Sequence, residues 1–247
     1  MLIRSFSGRA INSIKEWQMY SPPASKDLHW VDGRSAKELA KAWVNENGVP
    51  HVPQVLSLLM QSHTTTLNLE IESAIPECKT VLDSYGKGRM HDLLLIGKTG
   101  NEKVVISIEA KVDETFGPTI RERRRYNPVK SNVDKRIAHL SDALISENNF
   151  EHLRYQLLHG IGGTLIEAKK QGANFAIFVV HEFLSNEINL NKHTLNTNDL
   201  NEFVSCLIKE QVILDYGCLV GPIFVPGGKD ISSDIPLFIG KIKTEVH

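Results

Sequence analysis

The stretch "HDLLLIGKTGNEKVVISIEAKV", residues 91–112, constrains the fold more than any other part of the chain. Two runs rich in branched apolar residues flank a short polar segment with a glycine, which is the pattern of a β-hairpin. A turn centred between Gly100 and Asn101 sets Asp92 directly opposite Glu109 and predicts that both side chains share one sheet face. Lys111, two residues beyond Glu109, points to the same face about 6.5–7 Å away. Like charges opposed across a hairpin repel each other, so a cation is expected between Asp92 and Glu109. Two readings satisfy that requirement. Lys111 neutralises the pair as a structural ion bridge, or a divalent metal held by oxygen ligands does so and leaves Lys111 for chemistry.

The remaining segments read as layers around this hairpin. Residues 1–65 are helical in character. Ser35 stands three places before Glu38 in a capping-box spacing that opens a helix closed by Gly48, and a second helix is expected over 51–62. "TLNLEIESAI" (66–75) alternates like a strand. Helical patterns follow at 134–146 and 150–171, a buried-type strand at 173–183, a helix near 197–210, and strands at 218–225 and 236–243. Strands then helices, then strand and helix again, predict a single mixed α/β domain with a sheet sandwiched by helices. Its parts are an N-terminal helical segment (1–65), a core (66–225) and a C-terminal strand (226–247).

Composition removes several function classes. With 41% hydrophobic and 23% charged residues the chain is an ordinary globular sequence. Three scattered cysteines offer neither a disulfide framework nor a zinc pattern. The longest apolar run, "FAIFVV" at 175–180, is too short to span a bilayer, and the N-terminus lacks the apolar stretch of a signal peptide. A soluble, cytoplasmic protein with no membrane partner is expected. "GIGG" (160–163) has Leu165 where a dinucleotide fingerprint needs glycine, and no serine-nucleophile motif is present.

The net charge of −1 gives no global attraction to nucleic acid, so a local patch is required. "TIRERRRYNPVKSNVDKR" (119–136) supplies one, with seven basic residues against two acids. Arg121, Arg123, Arg124, Arg125 and Lys130 are its candidate phosphate contacts, and Tyr126 can stack on a base. The segment buries little apolar surface and is expected to order on a partner. The competing reading is a solvated charged loop, and Arg136 is assigned to the following helix as a structural residue.

Taken together, "GRSAKELAKAW" (33–43), "AIPE" (74–77), "HDLLLI" (91–96), "EAKVDETFGPT" (109–119), "RYQLLHGIGGTLIEA" (154–168) and "FAIFVVHEF" (175–183) resemble the PD-(D/E)xK nuclease superfamily, and more narrowly an uncharacterised bacterial domain family with that core. The resemblance implies a restriction-endonuclease-like sheet flanked by helices, with Asp92, Glu109 and Lys111 in the catalytic positions. It also implies Mg²⁺ or Mn²⁺ as cofactor and nucleic acid as partner, DNA ahead of RNA. A fourth carboxylate is usual there. Glu77, in the "AIPE" block, is preferred as a metal ligand over Glu72 and Glu70. Gln156 and His159 share a helix face and can both reach the active edge, with Gln156 as the supporting polar group. A homodimer is possible, as in other nucleases of this kind, and so is a catalytically silent domain that binds nucleic acid or a protein.

Overall fold

In a computed structural model of the chain, the described residues are 1–24, 29–86, 88–126, 131–147, 149–185 and 190–246. Seven strands form one mixed sheet: β1 (Leu2–Ile3), β2 (Glu70–Thr80), β3 (Arg89–Thr99), β4 (Glu102–Lys111), β5 (Phe175–Leu184), β6 (Leu219–Ile223) and β7 (Leu237–Glu245), in the order β1-β2-β3-β4-β5-β7-β6. The β2–β3 and β3–β4 neighbours are antiparallel, whereas β4, β5 and β7 run parallel.

Helices cover both faces. On one side lie α1 (Ile14–Tyr20), α2 (Ser35–Trp43) and α3 (Gln54–Gln61), which bury Trp17, Leu39, Trp43 and Leu56 against Leu93, Leu95 and Ile177. On the other lie α5 (Val133–Leu144), α6 (Tyr155–Gln171) and α7 (Leu190–Ile208), which bury Ile137, Leu165 and Phe203 against Leu94, Val105 and Phe178. The central strands β4 and β5 are therefore buried on both faces and carry near-continuous apolar runs, while β2, nearer an edge, keeps an alternating pattern.

The hairpin register is the expected one. Leu93 pairs with Ile108 and Thr99 with Glu102, so Asp92 stands opposite Glu109. The shared face is not observed, because strand phase flips at this point. Leu93 and Leu95 pack on the α1–α3 side and Leu94 on the α5–α7 side. Strict alternation would put His91 and Arg89 with Leu93, yet both lie beneath α6. The partner strand flips too. Ala74 packs on the α1–α3 side, but Cys78, which alternation would return there, packs on the opposite side. Glu77 lies at the flip with φ +49°, a left-handed conformation rare for a residue with a side chain. A local irregularity of this kind re-aims side chains near a strand end.

Two helix starts also differ from expectation. Ser35 is the first helical residue rather than the cap, and its hydroxyl donates to Glu114 Oε1 at 2.6 Å, while Glu38 accepts from Gly33 N at 2.8 Å. The basic segment begins with a short helix, α4 (Ile120–Arg125), and its residues 127–130 lie outside the described residues. Thr119 and Glu122 form a reciprocal capping box, and Ile120 is buried in the core.

Candidate active site

At the end of the sheet where β4 finishes, three carboxylates form a row across neighbouring strands. Pro76 pairs with Leu93 and Cys78 with His91, which sets Glu77 opposite Asp92, itself opposite Glu109. Glu109 and Lys111 are deeply buried, at 2% and 3% exposure. Lys111 Nζ donates to Glu109 Oε1 and to Gln156 Oε1, each at 3.0 Å, and Gln156 Nε2 donates to Glu109 Oε1 at 2.5 Å. The structure thus brings Glu109, Lys111 and Gln156 together. Asp92 takes a different partner, accepting from the backbone N–H of Ala110 at 2.8 Å, and lines a cleft of about 210 Å³ with Glu77, Trp17, His29, Ser35 and Met90.

Sequence reasoning missed Arg89. This buried residue donates from Nη2 to Glu109 Oε2 at 2.6 Å, from Nη1 to His159 Nδ1 at 2.8 Å, and approaches His91 Nδ1 with Nε at 3.5 Å. His91 Nε2 meets Thr80 Oγ1 at 3.0 Å, and that hydroxyl donates to Glu167 Oε2 at 3.0 Å. With the Thr80 proton directed at Glu167, His91 must donate from Nε2 and accept at Nδ1, so it is neutral in this tautomer. His159, accepting from Arg89 at Nδ1, is neutral too. Burial and the Arg89 charge hold its pKa down to about 3. The signal for Arg89 is a charged residue at the start of an apolar strand. "GIGG" is part of the same arrangement: a Cβ on Gly163 would lie 3.1 Å from Arg89 Cδ and 3.2 Å from His91 Cε1, so glycine lets α6 close over them.

Charge is unevenly compensated along the row. Burial alone would raise the Glu109 pKa, but Lys111 and Arg89 outweigh it and bring it down to about 2. Burial pushes Glu77 up to about 8, with Asp92 and Glu109 adding repulsion. Burial and the Glu109 charge push Asp92 up to about 7, against the opposing influence of Lys111 and the Ala110 N–H. Neither Glu77 nor Asp92 is in an ion pair among the described residues.

Among the described residues, no group of three or more His, Cys, Asp and Glu side chains is arranged to hold a metal ion. The Glu77 and Asp92 carboxylates nevertheless suit a hard divalent cation, being oxygen donors that face a cleft and repel each other. Glu109 as it stands does not, because both its oxygens are engaged. Glu70 and Glu72 lie farther along β2, where Lys98 reaches Glu72 at 3.1 Å.

The basic residues divide by partner. Arg121 and Arg125 are exposed on α4, and Arg123 sits 5.8 Å above the Tyr155 ring. Arg124 is bound to Glu151 at 2.5 Å, so it serves the fold. Tyr126 is 80% exposed. Lys130 lies outside the described residues. Arg136 is structural as expected, paired with Asp83 at 2.5 Å, and Glu167 is a buried structural contact.

The family whose profile matches is described as a domain of unknown function, DUF6946, and the match spans residues 10–246. The chain belongs to this family. That span takes in the whole carboxylate row, both helical layers and β7, so the DUF6946 unit is the entire sandwich rather than the hairpin alone. No curated protein and no solved structure matches the chain. Among the described residues no helix is long and apolar enough to cross a membrane.

Proposed function

We propose that the chain is a metal-dependent nuclease of the PD-(D/E)xK type, with a restriction-endonuclease-like core, acting on DNA ahead of RNA. The observation that carries this reading is the row Glu77–Asp92–Glu109 on three adjacent strands, with Lys111 and Gln156 hydrogen-bonded to its inner member. Ligands in open α/β sheets bind outside the carboxyl ends of the strands, and β4 and β5 end here.

Glu77 and Asp92 would hold Mg²⁺ or Mn²⁺ from the cleft, whereas Glu109, on the α6 side of the sheet with both oxygens engaged, would join them only after its side chain left those partners. Such an ion, when bound, activates water and offsets charge on a phosphodiester. Lys111 has its own part. Its ammonium is held by Glu109 and Gln156 and lies 5.1 Å from the Phe116 ring centroid, a fixed, buried cation suited to charge that grows only in the transition state. Arg121, Arg123 and Arg125 would hold the phosphate backbone.

One observation favours a second reading, a silent domain that binds nucleic acid: both Glu109 oxygens are already satisfied by Arg89, Lys111 and Gln156. Supercoiled plasmid incubated with Mg²⁺ or Mn²⁺ separates the two. Nuclease function predicts nicking, and Asp92→Asn, Glu109→Gln and Lys111→Ala each lower the rate by at least about 100-fold with unchanged circular dichroism. Retardation of DNA on a gel without any cutting establishes the silent reading. Neither cutting nor binding removes both.

A further inference from the structure

Resting on the nuclease reading, we infer that His159, Tyr155 and Arg123 form a phosphate-binding subsite for nucleic acid on the α6 side of the sheet, in which His159 donates from Nε2 to a phosphate oxygen. Three observations carry it. First, the His159 tautomer is fixed. A guanidinium only donates, so the 2.8 Å contact from Arg89 Nη1 makes Nδ1 the acceptor and leaves the ring proton on Nε2. The residue is partly exposed and Nε2 is bonded to no described residue, so this N–H is free for a ligand. Second, the ring stands in a row that leads in from the exposed basic helix. Arg123 of α4 lies 5.8 Å above the Tyr155 ring, and Tyr155 meets His159 edge-on with ring centroids 4.8 Å apart. Arg123 is in no ion pair among the described residues, so its charge is available at the outer end of the row. Third, the inner end carries more positive than negative charge, because Arg89 and Lys111 both bind Glu109, two cations on one carboxylate.

A phosphate matches what this row offers. It accepts hydrogen bonds and carries negative charge, and the row presents the His159 N–H and the Arg123 guanidinium, with the surplus cation beneath them. His159 gives its hydrogen bond without a charge, so its contribution holds across salt concentrations while that of Arg123 is screened. Glu77 and Asp92 face the cleft on the other side of the sheet. The phosphate bound here is therefore a flanking one, held for position, and not the one that is cleaved.

The experiment follows a fluorescent duplex oligonucleotide binding to the full chain by anisotropy over a salt series, with EDTA present so that nothing is cut, alongside plasmid nicking with Mg²⁺. His159→Phe keeps a ring beside Tyr155 and removes the N–H. Its dissociation constant is expected to rise at least about fivefold with the slope of log affinity against log salt unchanged, because no charge is lost. His159→Gln restores both bonds, its carbonyl accepting from Arg89 and its amide donating outward, and is expected to bind within about twofold of wild type. Arg123→Met keeps an apolar chain over Tyr155 and is expected to lower that slope by about 1. If His159→Phe does not fold, wild type decides. The His159 ring N–H resonance of isotope-labelled protein, assigned by its loss in His159→Gln, is expected to shift when the duplex is added, and an unmoved resonance overturns the inference. Unchanged affinity or a lowered slope in His159→Phe, equal weakening in His159→Gln, or an unlowered slope in Arg123→Met also overturns it. The expected pattern with no nicking by wild type upholds the inference and removes the nuclease reading. Nicking by wild type with affinity unmoved by His159→Phe does the reverse. Wild type that neither binds the duplex nor nicks the plasmid removes both.

Discussion

Glu77 adopts a left-handed backbone conformation at the point where β2 and β3 change phase, and its carboxylate is repelled by two others. A position with φ +49° suits glycine, and an L side chain there costs about 1–2 kcal/mol. Glu77→Gly is therefore expected to raise the unfolding free energy by about 1 kcal/mol, net of the added chain entropy, in urea denaturation at pH 8. The same variant is expected to abolish metal-dependent cleavage, which would mark strain retained for function. His181 offers a prediction about acid. It is fully buried, bonded through Nε2 to Thr244 Oγ1 at 2.8 Å and stacked on Phe183, and burial pushes its pKa down to about 3. The folded state thus binds fewer protons than the unfolded chain between the ordinary histidine value and about 3. Its stabilising contribution is complete above about pH 6.5 and is lost as the pH falls through that window, by at most about 1.4 kcal/mol per unit. His181→Phe should flatten this acid limb of a stability profile measured between pH 7 and pH 4.

At the scale of elements, α6 is the organiser of the site. It supplies Gln156 and His159 from its first turns and Glu167 from its last, and it ends at Gly172 in a left-handed cap. Its glycines let it approach the sheet where polar side chains are buried. Alanine favours helices over glycine by about 1 kcal/mol, so Gly163→Ala would stabilise an exposed helix. Here Arg89 and His91 are pinned by bonds to Glu109 and Thr80 and cannot yield. Gly163→Ala is expected to destabilise by about 1–2 kcal/mol, read as a lowered midpoint in thermal unfolding. The turn after β4 is tied down in a different way. Arg34 bonds Asp113 at 2.9 Å and Ser35 bonds Glu114, so the start of α2 is fastened to the exit of β4. Asp113 and Glu114 carry this fastening. A second buried cluster, in which Glu182 on β5 is bound by Lys241 on β7 at 3.0 Å and by Tyr216, closes the same end of the sheet under α7.

For the whole molecule, a net charge of −1 means that any binding of nucleic acid depends on local geometry rather than on overall attraction. The arginines best placed to contribute are Arg123, Arg125 and Arg121, the last only loosely paired with Glu151 at 4.0 Å, since Arg124 is committed to Glu151 at 2.5 Å. Changing those three to alanine is expected to weaken DNA binding uniformly across sequences and to lower the slope of log affinity against log salt by up to about 3. Arg124→Ala is expected to leave that slope unchanged and to lower stability. Fluorescence anisotropy over a salt series separates these outcomes.

The hairpin register, the apolar central strands and the shared face of Glu109 and Lys111 were legible in the sequence, because period-two alternation and a short turn are local rules that each segment carries by itself, whereas Gln156 was expected beside them only from the family resemblance. The face on which Asp92 lies was not legible. Alternation predicts a face only while phase is kept, and the paired flip at Glu77 and Asp92 depends on how two strands meet between two helical layers. Arg89 was hidden for the same kind of reason. Its partners Glu109 and His159 lie 20 and 70 residues away, and a bond at that separation exists only once β3, β4 and α6 have packed together. Short-range periodicity wrote the elements into the chain, and tertiary packing alone decided which charges would meet inside it.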